Sequence, residues 1–167
     1  MTASMRIALM LALFAFAGTA TADRLGKLPN GLHTWTIDGT SDVRSCCFTW
    51  HSGDVSRGGC ALDGRSMSIS TRGDCAAGPG AAQVYVRVAA GRPTDVWLLS
   101  SNCPVDTAES LTDHGLVSAD DSMVWFRGLI EDRGVDKDVR EEAMFALVLS
   151  ESDAAFRYLD RLLTGSG

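Results

Sequence analysis

Apolar and polar residues alternate along the first half of the chain, a pattern that predicts β-strands with one buried face. Within residues 83–89, three valines occupy one face, and Tyr85 and Arg87 occupy the other. Turn sequences such as Asp63-Gly64 separate the segments. Roughly five or six short strands at this spacing predict an antiparallel β-sandwich or a small barrel. The predicted strands span residues 32–37, 46–51, 60–62, 66–71, 83–89 and 95–101.

Apolar residues recur every three or four positions after about residue 115, which predicts helices. We predict one helix from Asp120 to Glu131 with Ser118 as its N-cap, a second helix capped by Asp136, and a third from about Ala154. The predicted apolar stripes are Met123, Phe126, Leu129 and Ile130, then Val139, Ala143, Ala146 and Leu147, then Ala155, Phe156, Leu159, Leu162 and Leu163. The predicted fold class is therefore α+β, with the β region first and a short α-helical region after it.

An apolar run near the N-terminus is typical of a secretory signal peptide. It follows Arg6, occupies residues 7–18, and leads to small residues at Ala20 and Ala22, so cleavage is expected before Asp23. A membrane-spanning helix needs about 20 apolar residues, and this run is shorter. We therefore predict a periplasmic or secreted protein with no membrane span after cleavage. Its predicted parts are residues 1–22 (signal peptide), 23–114 (disulfide-containing β region) and 115–167 (helical region).

The charge of the chain limits its partners. The formal net charge is -6, and removal of the signal peptide with Arg6 makes it -7. An acidic surface repels phosphate backbones, which argues against nucleic acid as a partner. The chain also lacks a phosphate-binding loop, a dinucleotide fingerprint and a Gly-x-Ser-x-Gly elbow. Because these motifs are missing, we predict no catalytic residue, no cofactor and no metal ligand.

Five cysteines lie between residues 46 and 103. In an exported protein this number predicts two disulfides and one odd thiol. The preferred pairing is Cys47 with Cys60 and Cys75 with Cys103, although a sequence does not determine connectivity. In an extended strand, Cys46 and its neighbour Cys47 point to opposite faces.

An alternative is a thiol- or metal-dependent enzyme, or a metal binder, centred on Cys46, Cys47 and His51. Cys47 and His51 share a face on a strand because their separation is even, so a Cys–His pair is geometrically possible. Cysteines of exported proteins are usually oxidised, which favours a disulfide instead. The other histidines, His33 and His114, match no compact metal-ligand spacing.

Four tryptophans are the largest apolar side chains, and most of them should be buried. Two that are exposed together would indicate a contact surface for a ligand or partner. We predict such a surface at Trp50, His51 and Trp125.

Residues 138–147, Asp-Val-Arg-Glu-Glu-Ala-Met-Phe-Ala-Leu, resemble the first helix of a HEAT repeat. The helix with Phe156, Leu159, Leu162 and Leu163 resembles the second, after a short polar turn. The wider layout, with Cys46-Cys47, residues 57–60, 84–88 and 102–106 in front, resembles bacterial exported HEAT-repeat proteins with a cysteine-containing β region. The resemblance implies a single degenerate repeat that binds another protein and has no catalytic chemistry.

Solenoid repeats normally need several neighbours for stability, and this chain carries one helical pair and one extra helix. Either the three helices pack on the β region, or the last helix lacks its neighbour. The predicted function is a non-catalytic, exported protein–protein interaction or scaffold module of the bacterial envelope. The partner is an unidentified envelope protein, and the oligomeric state stays open. A small inhibitor or ligand-binding module that uses the Gly-rich loops is a second alternative.

Overall fold

The computed structural model of the chain describes residues 25–51, 54–57, 59–63, 68–70, 78–150 and 152–165. The predicted signal peptide and Cys75 lie outside these ranges. Nine strands are described: β1 (Gly31–Ile37), β2 (Cys46–His51), β3 (Asp54–Arg57), β4 (Cys60–Ala61), β5 (Ser68–Ser70), β6 (Ala82–Ala89), β7 (Arg92–Ser100), β8 (Val105–Asp106) and β9 (Leu111–Val117). Three helices follow them: α1 (Ala119–Glu131), α2 (Lys137–Leu149) and α3 (Asp153–Thr164).

A four-stranded sheet with the order β7-β6-β1-β9, which we call the central sheet, organises the chain. β1 and β7 run antiparallel to β6, but β9 runs parallel to β1. Parallel neighbours need a connection that returns to the starting end of the sheet, and residues 101–110 provide it between β7 and β9. The expectation of an antiparallel sheet is therefore wrong at this edge. The central sheet is open, so neither a sandwich nor a barrel is confirmed, whereas the mixed α and β content is.

Two smaller groups of strands accompany the central sheet. β2 pairs antiparallel with both β3 and β5, and β4 pairs parallel with β8. β3, β8 and β9 were not expected from the alternation pattern. The chain thus places the cysteine-bearing strands β2 and β4 in short sheets of their own.

Each face of the central sheet has its own core, because side chains of a strand alternate between faces. On one face, which we call the helical face, Trp35, Val84 and Val86 pack with Phe126 of α1 and Leu147 of α2. The opposite face, which we call the disulfide face, buries Leu32, Tyr85, Trp97 and Leu99 together with four cysteines. The helices therefore share a core with the β region instead of forming a separate unit.

The helices begin where the sequence predicts. The Ser118 hydroxyl accepts a hydrogen bond from the Asp121 N–H at 3.0 Å, and the Asp136 carboxylate accepts one from the Asp138 N–H at 2.9 Å. Such caps satisfy donors that the first turn leaves free. The predicted apolar stripe of α2 is buried throughout.

The apolar stripe predicted for α3 does not face the core. Of its five residues only Ala155 is buried, and α3 packs through Ala155 and Tyr158. Phe156 is 57% exposed and Leu163 is 88% exposed. The spacing shows correctly that one side of α3 is apolar, but no described element covers that side.

Candidate functional site

Two disulfides join β2 to other parts of the chain. Cys47 is bonded to Cys60 of β4, as predicted, with a Cα–Cα distance of 5.1 Å. The predicted bridge between Cys75 and Cys103 is wrong, because Cys103 is bonded to Cys46 at a Cα–Cα distance of 5.4 Å. Adjacent cysteines on a strand point in opposite directions, so the two bridges leave β2 toward different partners.

The structure has no free thiol at Cys46 or Cys47, the two cysteines of the predicted thiol site. Cys46 and Cys47 are both buried and both oxidised, and a disulfide sulfur is not a thiolate nucleophile. The side chains of Trp50 and His51 lie outside the description, so the predicted partner surface can be followed only at Trp125.

Trp125 lies half-buried on α1 at the edge of the helical face. Its ring meets Trp35 edge-on at a centroid distance of 5.2 Å and meets Phe126 at 5.4 Å. The Trp35 indole donates a hydrogen bond to the buried Ser122 hydroxyl at 3.1 Å, which fixes the ring against which Trp125 packs. Edge-to-face aromatic contacts of this kind favour one orientation.

A cleft of about 610 Å³ opens beside Trp125. Leu28 and Leu129 contribute apolar walls, and Lys27 and Arg92 add positive charge. Its volume falls in the range of about 300–1,000 Å³ that is common for small-molecule sites. The cleft therefore combines an apolar wall with two cationic side chains and one carboxylate, that of Asp132.

His33 and His114 form a second polar site, at the junction of β1 and β9. His33 is 1% exposed, and its Nδ1 lies 3.1 Å from Nε2 of His114. The other ring nitrogen of His33, Nε2, lies 2.8 Å from the carbonyl oxygen of Pro29. A carbonyl oxygen only accepts, so Nε2 of His33 donates, and its Nδ1 accepts from His114 when both rings are neutral.

His114 lies beside a β-bulge in β9. Thr34 and Thr36 of β1 lie opposite Asp113 and Leu116, so β9 carries one extra residue there. Gly115 takes a φ of +71°, a conformation that favours glycine. The extra residue lets His114 and Val117 share the helical face, although strict alternation would separate them.

The environment of His114 disfavours its charged form. Burial lowers the pKa of His114 and the neighbouring His33 lowers it further, while Asp113 opposes the shift in part. Withdrawal from water penalises a charged imidazole, and a second imidazole at close range adds to this penalty. The His114 ring is therefore held neutral to lower pH than a free histidine.

Arg87 forms a charged cluster on the disulfide face. Its guanidinium donates hydrogen bonds to Glu109 at 2.7 and 3.0 Å and to Asp95 at 3.2 Å. It also lies 5.5 Å from the centroid of the Trp97 ring. The cluster links β6 and β7 to the segment that precedes β9.

Among the described residues, no three histidine, cysteine or acidic side chains converge in a way that could hold a metal ion. None of the helices in the described ranges is long and apolar enough to cross a membrane.

Comparison with protein-family models, with curated proteins and with solved structures finds no significant match to this chain.

Sequence reasoning missed the His33–His114 pair because β9 was not predicted. It does place His33 on the same face as Trp35. His114-Gly115 between polar residues and Leu116-Val117 is the signal that could have indicated a bulged strand. The Arg87 cluster was missed for a similar reason, since Glu109 lies in the connection before β9.

Proposed function

We propose that this chain is a non-catalytic, exported protein–protein interaction or scaffold module of the bacterial envelope. Its binding surface in this proposal is the outer apolar side of α2 and α3. The partner is an envelope protein that presents an apolar surface of its own.

The exposed stripe of α3 is the observation that supports this proposal most. An amphipathic helix normally turns its apolar side to the core. Phe156 and Leu163 lie about two turns apart on one side of α3 and stay exposed, as do Phe145 and Val148 on α2. Single exposed apolar residues are ordinary, but grouped ones indicate a contact surface.

The proposed resemblance to a HEAT repeat gives this surface a rationale. In a helical solenoid, each repeat covers the apolar side of its neighbour. α2 and α3 would correspond to one such helical pair, and the exposed side of α3 is where a following repeat would pack. In our proposal the partner protein occupies that place.

The proposed export is supported by the two disulfides. Such bonds persist in oxidising compartments such as the periplasm and are rare in the cytosol. The apolar run at residues 7–18, which precedes the described part of the chain, supports the same assignment.

The test compares two charge-neutral double variants. Phe156→Gln with Leu163→Gln removes apolar area from α3, and Leu111→Gln with Leu116→Gln removes it from the exposed edge strand β9. Both would serve as baits in an envelope extract, with captured proteins quantified by mass spectrometry. We expect the α3 variant to lose a partner that wild type and the β9 variant retain. Equal capture by both variants would contradict the proposal.

The thiol-enzyme alternative is separated from the scaffold by thiol titration. Four of the five cysteines are bonded, so we expect one thiol, that of Cys75, with ordinary reactivity. A thiol that reacts rapidly below neutral pH would favour the enzyme instead, because rapid reaction indicates a lowered pKa.

A ligand-binding module is the second candidate, and the cleft beside Trp125 favours it. An amphipathic carboxylate such as dodecanoate is the probe, since Lys27 and Arg92 can pair with its head group. Binding measured by calorimetry should weaken in Trp125→Ala and stay unchanged in Phe156→Gln. Absence of saturable binding would remove this candidate.

A further inference from the structure

The His33–His114 pair joins a buried position to the edge of the central sheet. β9 is the last strand of that sheet, and among the described strands it pairs with β1 alone. The ring of His33 on β1 is 1% exposed, and His114 on β9 is half-buried. The hydrogen bond between the rings therefore connects the two strands whose pairing holds β9 in place.

We propose that the His33–His114 pair is a pH-sensitive contact that holds β9 on the central sheet at neutral pH and releases this strand at about pH 5.5. The opening is local, so β1, β6 and β7 stay paired. This inference is independent of the interaction surface proposed on α2 and α3.

The hydrogen bond between the rings needs one donor and one acceptor. Nε2 of His33 donates to the Pro29 carbonyl at 2.8 Å, so the lone pair of a neutral His33 lies on Nδ1. That lone pair accepts from Nε2 of His114 at 3.1 Å. The space between the two facing nitrogens thus holds one hydrogen.

One added proton leaves this bond intact. It binds Nδ1 of His114, and the shared hydrogen then lies on either of the two facing nitrogens. The pair carries a single positive charge in this state, and both strands stay connected.

A second added proton conflicts with the pair. Both facing nitrogens would carry hydrogen, so the bond would be lost, and two like charges would lie with their ring centroids 5.3 Å apart. Burial and the neighbouring His33 lower the pKa of His114, while Asp113 opposes the shift in part. When β9 is open, the two rings are separated, and each can bind its own proton.

The other charges near the pair do not remove this conflict. The segment before β1 contributes the Pro29 carbonyl, and its Lys27 side chain lies against the turn between β6 and β7. On β6, Tyr85 is near Asp113, but a tyrosine with a raised pKa is neutral at these pH values. Within the described ranges, no charge on the three helices shifts His114.

Counting protons gives the direction of the effect. Below the ordinary histidine pKa of about 6.5, the open form binds up to two protons and the closed form binds one. The pair therefore holds β9 fully above this pKa, and its contribution declines as the pH falls. A difference of one bound proton changes the opening constant about tenfold per pH unit.

The test measures hydrogen–deuterium exchange of the oxidised full chain at pH 7.5 and pH 5.5 by mass spectrometry. Exchange corrected for its intrinsic rate gives the opening constant of β9, and β6 reports whether the whole sheet opens. His114→Gln is the decisive variant, because its amide can present an N–H to neutral His33 or an oxygen to charged His33. His51→Gln is the matched control, since His51 is the one histidine outside the pair.

We expect the opening constant of β9 to rise about tenfold from pH 7.5 to pH 5.5 in wild type and in His51→Gln. The rise should stay below about threefold in His114→Gln, and below about threefold for β6 in all three proteins. Circular dichroism at pH 7.5 confirms that each variant is folded. Imidazole NMR of wild type, which needs no variant, should show that the closed pair takes up one proton over this range.

Four outcomes would overturn the proposal. They are a rise below threefold for β9 in wild type or in His51→Gln, an equal rise in wild type and His114→Gln, a parallel rise in β6, and uptake of two protons by the closed pair.

Discussion

The two faces of the central sheet are stabilised in different ways. On the disulfide face, nine described residues form the buried core, and four of them are bonded cysteines. The helical face buries more than twice as many residues and has no described disulfide. A small core provides little hydrophobic stabilisation and gains most from covalent links, whereas a large core stabilises itself by packing.

The largest expected effect comes from truncating the core of the helical face. Phe126 on α1 is 1% exposed, and its ring packs against Trp35 and Trp125. Phe126→Ala should lower the free energy of unfolding by about 3–5 kcal/mol, through lost burial and the cavity that remains. Urea denaturation followed by far-UV circular dichroism measures it.

Phe156 on α3 supplies the matched control for this variant. It is the same residue type on the same side of the sheet but 57% exposed, so Phe156→Ala should change stability by no more than about 0.5 kcal/mol. Similar losses at both positions would mean that α3 buries its stripe after all, and the proposed interaction surface would be lost with it.

Removing the disulfides tests how much these bonds stabilise the disulfide face. The Cys46–Cys103 bridge spans 57 residues and the Cys47–Cys60 bridge spans 13. Replacing either pair with alanines should cost about 2–4 kcal/mol, with the longer loop costing about 1 kcal/mol more in the loop-entropy account. Denaturant unfolding of the two double variants under non-reducing conditions gives the comparison. A larger loss for Cys47→Ala with Cys60→Ala would contradict the loop argument.

The local sequence pattern was sufficient to predict β6 and α2, two of the elements that form the core of the helical face. The valines of β6 and the stripe of α2 could be assigned because alternation and helical spacing are regular there. The alternation of apolar and polar residues did not predict β9, because the bulge at His114 and Gly115 interrupts it. The pattern also failed for α3, since spacing shows that a helix side is apolar but not whether another element covers it.

Site residues were harder to predict than elements because they meet across long stretches of chain. His33 and His114 are 81 residues apart, and Cys46 and Cys103 are 57 apart. Only the order of strands in the central sheet brings such residues together. The Cys47–Cys60 bridge was predicted correctly because its partners lie on nearby segments.

Arg87 and Arg127 form ion pairs that differ in exposure and in the number of carboxylates bonded. The Arg87 side chain is 15% exposed and bonds two carboxylates, whereas that of Arg127 on α1 is 56% exposed and pairs with one carboxylate among the described residues, that of Glu131. Lysine keeps the charge but loses the planar fork. Arg87→Lys should therefore cost about 1–2 kcal/mol, and Arg127→Lys no more than about 0.5 kcal/mol, in thermal or urea unfolding. Equal losses would show that the Arg87 cluster behaves as an ordinary surface pair.

The smallest expected effect is a pH dependence where α2 meets the sheet. Partial burial of the carboxylate raises the pKa of Glu142 above its ordinary value of 4.5, and Asp95 and Asp138 raise it further. The hydrogen bond that Glu142 accepts from the Val96 N–H opposes this shift. A raised pKa means that the folded state holds this proton more tightly than the unfolded state. The stabilisation is complete below the unfolded pKa and is lost as pH rises through the folded pKa.

Glu142→Gln should remove this dependence, because the amide oxygen can still accept the Val96 N–H while the side chain carries no charge. We therefore expect the variant to gain stability relative to wild type between about pH 4 and pH 7. Urea unfolding of both proteins at the two pH values measures the change. Glu142 is largely exposed, so solvent screening keeps the gain small. A stability difference that stays constant across this range would show that the contact between α2 and β7 does not penalise the charge of Glu142.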